Sequence, residues 1–166
     1  MKQAPFNVLV LCTGNSARSI LGEALFNHFG GGRFRAYSAG SQPSGKVNPV
    51  ALETLEKHGV PLPEARSKSW DEFTSPGSPE IDFIFTVCAS AAGEACPIWL
   101  GHPTTAHWGI ADPAQVEPME ARREAFEVAY RLLKQRIEAF VALPIETMTT
   151  AEVAQAAKRI HAESEQ

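Results

Sequence analysis

The opening of the chain sets the strongest constraint on its fold. Residues 6–11 read FNVLVL, a short apolar and β-branched run that is typical of a strand buried on both faces. A short loop follows, and apolar residues then recur at helical spacing until three glycines end the pattern, at Ile20, Ala24, Leu25 and Phe29. A buried strand that runs through a loop into a helix favours a parallel α/β sheet.

The rest of the chain continues this alternation. Strands are predicted at residues 34–38, 81–87 and 104–108, and helices at residues 49–58, 120–141 and 151–162. The third of these helices should pack on the sheet, with Lys134 and Arg136 on its solvated face and with the following apolar residues on its other side: Ala125, Val128, Ala129, Leu132, Leu133, Ile137 and Phe140. These elements predict a small parallel sheet with helices on both faces, which binds ligands at the carboxyl ends of its strands.

Composition narrows the function. A chain of 166 residues with a formal charge of -4 indicates one folded domain and argues against a nucleic-acid partner. The amino terminus lacks a signal-peptide pattern, and no apolar run is long enough to span a membrane. We therefore expect a cytoplasmic protein that does not bind membranes.

The loop between the first strand and helix carries the chemistry. Its backbone N–H groups can converge on an anion at the positive end of the helix dipole, and Gly14 would permit the torsions of a tight cradle. Arg18 offers a fork of donors that matches a tetrahedral oxyanion, and the same field favours a thiolate at Cys12. A buried, inert Cys12 is the plainer alternative. The pattern Cys-x5-Arg-Ser instead predicts a nucleophile in an oxyanion loop made of Cys12, Thr13, Gly14, Asn15, Ser16, Ala17, Arg18 and Ser19.

This loop, the segment 37–41 (YSAGS) and the pair Asp112-Pro113 together resemble the low-molecular-weight protein tyrosine phosphatase fold, and within it the thioredoxin-coupled arsenate reductases. The resemblance implies a four-stranded parallel sheet in the order 2-1-3-4. It also implies that Asp112 is a general acid on a mobile loop. Residues 1–143 would form the phosphatase-like catalytic domain, and residues 144–166 an extra C-terminal helical extension.

Cys88 and Cys96 separate the two activities that the resemblance offers. In the reductases a second thiol attacks the cysteine-bound arsenic species, arsenite leaves, and the resulting disulfide passes to a third cysteine. The resemblance assigns these roles to Cys88 and Cys96, although the corresponding pair in the thioredoxin-coupled enzymes is one residue closer together. We expect arsenate as substrate, with phosphate or sulfate as analogues. The electron donor would be thioredoxin, or alternatively glutathione with glutaredoxin.

A tyrosine phosphatase or another phosphomonoesterase is the alternative, and a non-catalytic anion-binding module is a third. Phosphatases of this fold usually have aromatic residues after the Asp-Pro pair, where this chain has Ala114 and Gln115. They also commonly carry a second cysteine within the loop, where this chain has Ala17. Both differences favour the reductase.

No cofactor and no required metal are expected. The three cysteines do not have the spacing of a structural zinc site. Some reductases of this fold bind potassium beside the loop, at positions that would correspond to Asn15, Glu23, Ser38 and residues 67–69. Lys68 places a positive charge in that region, so we predict no potassium site.

Overall fold

The computed structural model describes residues 5–62, 66–87 and 103–164. All strand pairs in its four-stranded sheet are parallel, and the order is β2-β1-β3-β4. The strands are β1 (Phe6–Cys12), β2 (Phe34–Gly40), β3 (Phe83–Thr86) and β4 (Thr104–His107). The fold class and the strand order expected from the sequence are therefore confirmed.

The four α-helices of the described residues lie close to their predicted positions. They are α1 (Arg18–Phe29), α2 (Pro49–Lys57), α3 (Met119–Val141) and α4 (Thr150–Ser164). Local signals explain their ends. Asn48 caps α2 by accepting a hydrogen bond from the Val50 amide. Thr149 and Glu152 exchange hydrogen bonds through side chains and amides, which forms a capping box at the start of α4.

Two apolar cores lie on opposite faces of the sheet. The larger contains residues from all four helices, and at its centre the Phe26 ring lies 5.3 Å from the Phe85 ring and 6.3 Å from Trp108. In the described part of the chain, the smaller core packs Leu9 and Leu11 of β1 against Phe73 of a short 3₁₀ helix, Trp70–Phe73. The central strand β1 is thus buried on both sides, as its apolar run predicts.

Helix α3 is rotated relative to the face that the sequence predicted. Val128 is 40% exposed, whereas Phe126, Tyr130 and Arg136 are buried. The core-facing stripe runs through residues 126, 130, 133, 137 and 140, at steps of three and four residues. The prediction of a solvated Arg136 was therefore wrong, because this residue lies beside that stripe.

The strand register brings the ends of the inner strands together. Cys12, the last residue of β1, is opposite Gly40 of β2, and Leu11 is opposite Thr86 of β3. The carboxyl edge of the sheet therefore places Cys12 at its centre. Within the three described ranges, no helix has the length and apolar character needed to cross a bilayer.

Candidate active site

Cys12 lies at the end of β1 with 4% of its surface exposed. Its Sγ atom is 3.0 Å from Oγ of Ser19, a fully buried residue in the first turn of α1. The Asn15 side-chain amide donates to the same Oγ atom at 2.8 Å. Because Ser19 accepts this hydrogen bond, its own hydrogen is available for Cys12, and a donor directed at sulfur favours the thiolate.

Asn15 holds this arrangement from the centre of the loop. Its Oδ1 accepts a hydrogen bond from the Lys68 amide at 2.8 Å, which fixes the orientation of the side-chain amide. Its backbone is left-handed, with φ of 46°. The special torsion predicted for Gly14 therefore belongs to Asn15, a residue type that tolerates this region when its side chain forms local hydrogen bonds.

The loop carbonyls face a neighbouring segment. The carbonyl oxygens of Thr13, Gly14 and Ser16 accept hydrogen bonds from the amides of residues 42, 44 and 48 at 2.8 to 2.9 Å. In a planar trans peptide the carbonyl and the next N–H point in opposite directions. The N–H groups that follow these carbonyls therefore point away from residues 42–48, as a loop that binds an anion through its amides requires.

Helix α1 presents its N-terminus to the loop. Within the described residues, Ala17 at its N-cap position makes no side-chain capping bond, and the first turn has no acidic residue. The N–H groups of a first turn have no partner inside the helix and carry its partial positive charge. This end of α1 could therefore contribute donors and positive potential to an oxyanion at Cys12.

Gly40 allows β2 to approach the loop closely. A Cβ atom at this position would lie 2.4 Å from the Thr13 carbonyl oxygen and 2.9 Å from that of Cys12. The Gly40 amide also donates to the Lys68 carbonyl at 2.9 Å. No larger residue fits here without displacing the loop backbone.

Arg18 connects the loop to the predicted acid. Its Nη1 donates to the Ile110 carbonyl at 3.0 Å, and its Nη2 lies 3.6 Å from Oδ2 of Asp112. The Asp112 side chain is 37% exposed, and its Oδ1 accepts a hydrogen bond from the Ala114 amide at 2.9 Å. The structure therefore brings the guanidinium of Arg18, from the loop, next to the carboxylate of Asp112; their roles in charge stabilisation and proton transfer stay predictions.

The region considered for potassium is occupied by the Lys68 side chain. Its Nζ atom lies 3.7 Å from Oε1 of Glu23, which also accepts a hydrogen bond from the Ser38 hydroxyl. Burial lowers the pKa of Lys68 more than the Glu23 carboxylate raises it. Glu23 already has a cationic neighbour, so these residues do not fit a potassium site. In the described ranges, no group of three or more His, Cys, Asp or Glu residues could hold a metal ion.

The remaining predictions have different outcomes. Cys88 and Cys96 lie outside the described residues. His107 pairs through Nδ1 with the Thr86 hydroxyl at 2.7 Å, and Trp108 is completely buried. The sequence reasoning missed Arg136 and the Lys68–Glu23 pair. The spacing of Arg136 from Leu133 and Phe140, three and four residues, was the available signal.

Comparison with known proteins supports the same fold. The family model described as low molecular weight phosphotyrosine protein phosphatase matches residues 7–157. An arsenate reductase of Brevibacillus brevis is 35% identical over 127 residues, which cover 76% of this chain and 91% of that protein. An arsenate reductase of Bacillus subtilis is 33% identical over 119 residues, covering 72% and 82% of the two chains.

Solved structures agree on the architecture. A crystal structure of an arsenate reductase from Archaeoglobus fulgidus has a TM-score of 0.63 and 26% identity, and covers 82% of this chain and 99% of that one. The tyrosine phosphatase Wzb of Escherichia coli K30, crystallised with sulphate, has a TM-score of 0.66 and 25% identity over 84% and 98% of the two chains. Both activities thus occur among the proteins that this chain is similar to.

Proposed function

We propose that this chain, which belongs to the low molecular weight phosphotyrosine protein phosphatase family, is an arsenate reductase with Cys12 as its nucleophile. The observation that carries the proposal is the hydrogen-bonded series Asn15, Ser19 and Cys12, in which the Ser19 hydroxyl is available to donate to a Cys12 thiolate. The names of the relatives at 33% and 35% identity support arsenate as the substrate.

In the first step, arsenate occupies the loop, and the Cys12 thiolate attacks arsenic. A sulfur–arsenic bond forms and one arsenic–oxygen bond breaks. Asp112 donates a proton to the leaving oxygen, which departs as water, and Arg18 balances the charge of the remaining oxygens. The contact between Arg18 and Asp112 supports placing both groups at one bound oxyanion.

The second stage transfers two electrons from thiols to arsenic. The Cys88 thiolate attacks the sulfur of Cys12, and the electron pair of the sulfur–arsenic bond leaves with arsenic as arsenite. The Cys96 thiolate then attacks Cys88, which releases Cys12 as a thiolate and forms a Cys88–Cys96 disulfide. Thioredoxin, or glutathione with glutaredoxin, would return this disulfide to two thiols.

Variants of the two relay cysteines test the proposal. Cys88→Ser should abolish multiple turnover of arsenate and preserve hydrolysis of a small aryl phosphate, which needs only the loop and Asp112. Cys96→Ser is the matched variant and should complete about one reduction per molecule, leaving a Cys12–Cys88 disulfide that mass mapping can detect. Each is assayed with thioredoxin and, separately, with glutathione and glutaredoxin.

The outcomes separate the alternatives. Full arsenate turnover by Cys88→Ser would exclude the intramolecular relay. Full turnover by Cys96→Ser would indicate that an external thiol, acting on an earlier intermediate, recycles the enzyme. An enzyme that hydrolyses aryl phosphates and fails to reduce arsenate with either donor would be a phosphomonoesterase, the second candidate.

A further inference from the structure

Arg136 is a buried charge that the proposed reaction does not use. It lies on α3 within the main core, and only 2% of its surface is exposed. Its Nη1 donates to the Trp108 carbonyl at 2.9 Å and to the Gly109 carbonyl at 3.3 Å. Its Nε donates to Oγ of Ser164, in the last turn of α4, at 2.7 Å. One side chain therefore joins α3, α4 and the segment that follows β4.

The segment contacted by Arg136 leads directly to Asp112. Trp108 and Ile110 are bonded through their amides to the carbonyls of Thr86 and Val87 on the β3 side. Arg18 binds the Ile110 carbonyl from the loop side. Residues 108–110 are thus held by β3, by Arg18 and by Arg136, and Asp112 follows two residues later.

Residues 109–111 pack less closely against α3 than Trp108, whose ring lies 5.9 Å from the Phe140 ring of that helix. A cavity of about 630 Å³ lies between residues 109–111 and α3, and Val128 and Leu132 contribute to its lining. Hydrogen bonds to the backbone therefore add to the packing of Trp108 in holding this stretch in place. The two carbonyls bound by Arg136 lie at the start of this stretch.

Helix α4 fixes Arg136 from the other side. The helix docks through Val153 and Ala157, which are buried in the main core, and the Ala157 carbonyl accepts a hydrogen bond from the Trp108 indole at 2.9 Å. Ser164 is 3% exposed and donates to the His161 carbonyl, so its oxygen is oriented to accept from Arg136. Burying a guanidinium is costly, and the hydrogen bonds that Arg136 donates to two backbone carbonyls and to Ser164 offset that cost.

We propose that α4 positions the general acid: Ser164 orients Arg136, and Arg136 holds the Trp108 and Gly109 carbonyls so that Asp112 reaches the leaving oxygen. Arg136 and Ser164 act here as positioning residues, since neither contacts the substrate. The inference depends on the proposed role of Asp112 as the acid.

Ser164→Ala is the sharpest test, because it removes one hydroxyl and leaves the helix in place. Lys158→Ala, at an exposed position of the same helix, is its control. We expect Ser164→Ala to slow the first chemical step with arsenate about three- to tenfold in single-turnover measurements, since small misplacements of a catalytic group are costly. Protection of Cys12 by sulfate against iodoacetamide, and the pH dependence of that alkylation, should not change. Arg136→Lys, with Arg159→Lys as control, should give a larger loss of the same kind.

A double-mutant cycle with Asp112→Asn separates this proposal from the proposed function. In the Asp112→Asn background, Ser164→Ala should cause no further loss of rate, because the proton whose delivery it impairs is already absent. An equal loss in both backgrounds, or altered sulfate protection, would identify a merely structural role and overturn the proposal. Normal rates in Ser164→Ala and Arg136→Lys would also overturn it, provided that Asp112→Asn is slow. A normal rate in Asp112→Asn would instead reject Asp112 as the acid. Thermal unfolding of each variant confirms that it is folded at the assay temperature.

Discussion

Nη2 of Arg18 lies 3.6 Å from Oδ2 of Asp112, and the same guanidinium donates to the Ile110 carbonyl two residues earlier. The residue proposed to bind the oxyanion therefore also holds the segment that carries the proposed acid. An anion that binds Arg18 would bind a side chain that already contacts this segment. Substrate binding would in this way be coupled to the position of Asp112.

Asp112→Asn tests this connection. The asparagine retains the shape of the side chain and can still accept from the Ala114 amide, but it has no proton to transfer. We expect the first step with arsenate to slow by about 100-fold or more, with sulfate affinity within about threefold of the wild-type value. Asp71→Asn, at an exposed position, is the control. A large loss of sulfate affinity would show that the carboxylate organises the binding site rather than supplying a proton.

Ser19→Ala tests the hydrogen bond to Cys12. Without the hydroxyl at 3.0 Å, the thiolate loses a donor and its pKa should rise. A hydrogen bond to a charged group is worth about 1.5–3 kcal/mol, which predicts a fall of about 10- to 100-fold in alkylation of Cys12 by iodoacetamide at neutral pH. The rate at high pH should be retained, because the thiolate is then fully formed. Ser75→Ala serves as an exposed control. An unchanged pH profile would assign thiolate stabilisation to the loop amides and Arg18 instead.

Gly40→Ala tests the close approach of β2 to the loop. The added methyl group would lie 2.4 Å from the Thr13 carbonyl oxygen, so the loop backbone must move. We expect arsenate turnover to fall about tenfold or more, with the loss of stability limited to about 1–3 kcal/mol. Gly31→Ala is the matched control, because its added methyl would contact nothing within 4 Å although its φ of 56° is strained. That variant should lose stability and keep its activity.

Glu23→Gln tests the buried pair with Lys68. Gln can still accept a hydrogen bond from the Ser38 hydroxyl, but it no longer raises the pKa of Lys68. Burial is the largest influence on that pKa and lowers it; Arg66 lowers it and Glu72 raises it to smaller extents. A lysine whose pKa is lower in the folded chain binds fewer protons there than in the unfolded chain, so stability rises with pH up to its ordinary pKa of 10.5. The variant should therefore be less stable by about 1–3 kcal/mol at pH 7, and its deficit should shrink as the pH rises towards that value.

Urea unfolding of wild type and Glu23→Gln at several pH values between 7 and the alkaline range measures this difference. Glu53→Gln, which breaks the half-exposed contact with Arg123, should cost below about 0.5 kcal/mol at every pH. A deficit of Glu23→Gln that does not depend on pH would assign its effect to packing rather than to charge.

The features of the fold that could be predicted from the sequence are those that local residue patterns encode. The helix from Arg18 to Phe29 and the buried strand β1 depend on residue spacing within a few turns or on immediate neighbours. The rotation of α3 was missed because Ala125, Val128 and Leu132 are apolar and form a second plausible stripe. Only packing against the other elements places Arg136 inside and Val128 outside.

In the candidate site, too, the local features could be predicted from the sequence and the long-range contacts could not. The proposed nucleophile, Cys12, and Arg18 lie in one contiguous loop, so the sequence alone suggests their chemistry. The contacts from Lys68 to Asn15 and from Arg18 to Ile110 join residues 53 and 92 positions apart. No local pattern encodes them. The left-handed residue was assigned to Gly14 because glycine is the usual choice, whereas hydrogen bonding stabilises this conformation at Asn15.

The central position of β1 also governs how the chain must fold. Its partners β2 and β3 both follow it in sequence, and α1 lies between β1 and β2. Each strand pairing therefore closes a long loop, and the entropy cost of that closure precedes the stabilising contacts. Parallel sheets of this kind fold slowly compared with helical bundles, because their contacts have high sequence separation. The Lys68 and Ile110 contacts to the loop depend on the same long-range closures. We therefore expect a nascent chain to complete the proposed oxyanion loop only together with the sheet, so that the topology limits how soon the site can form.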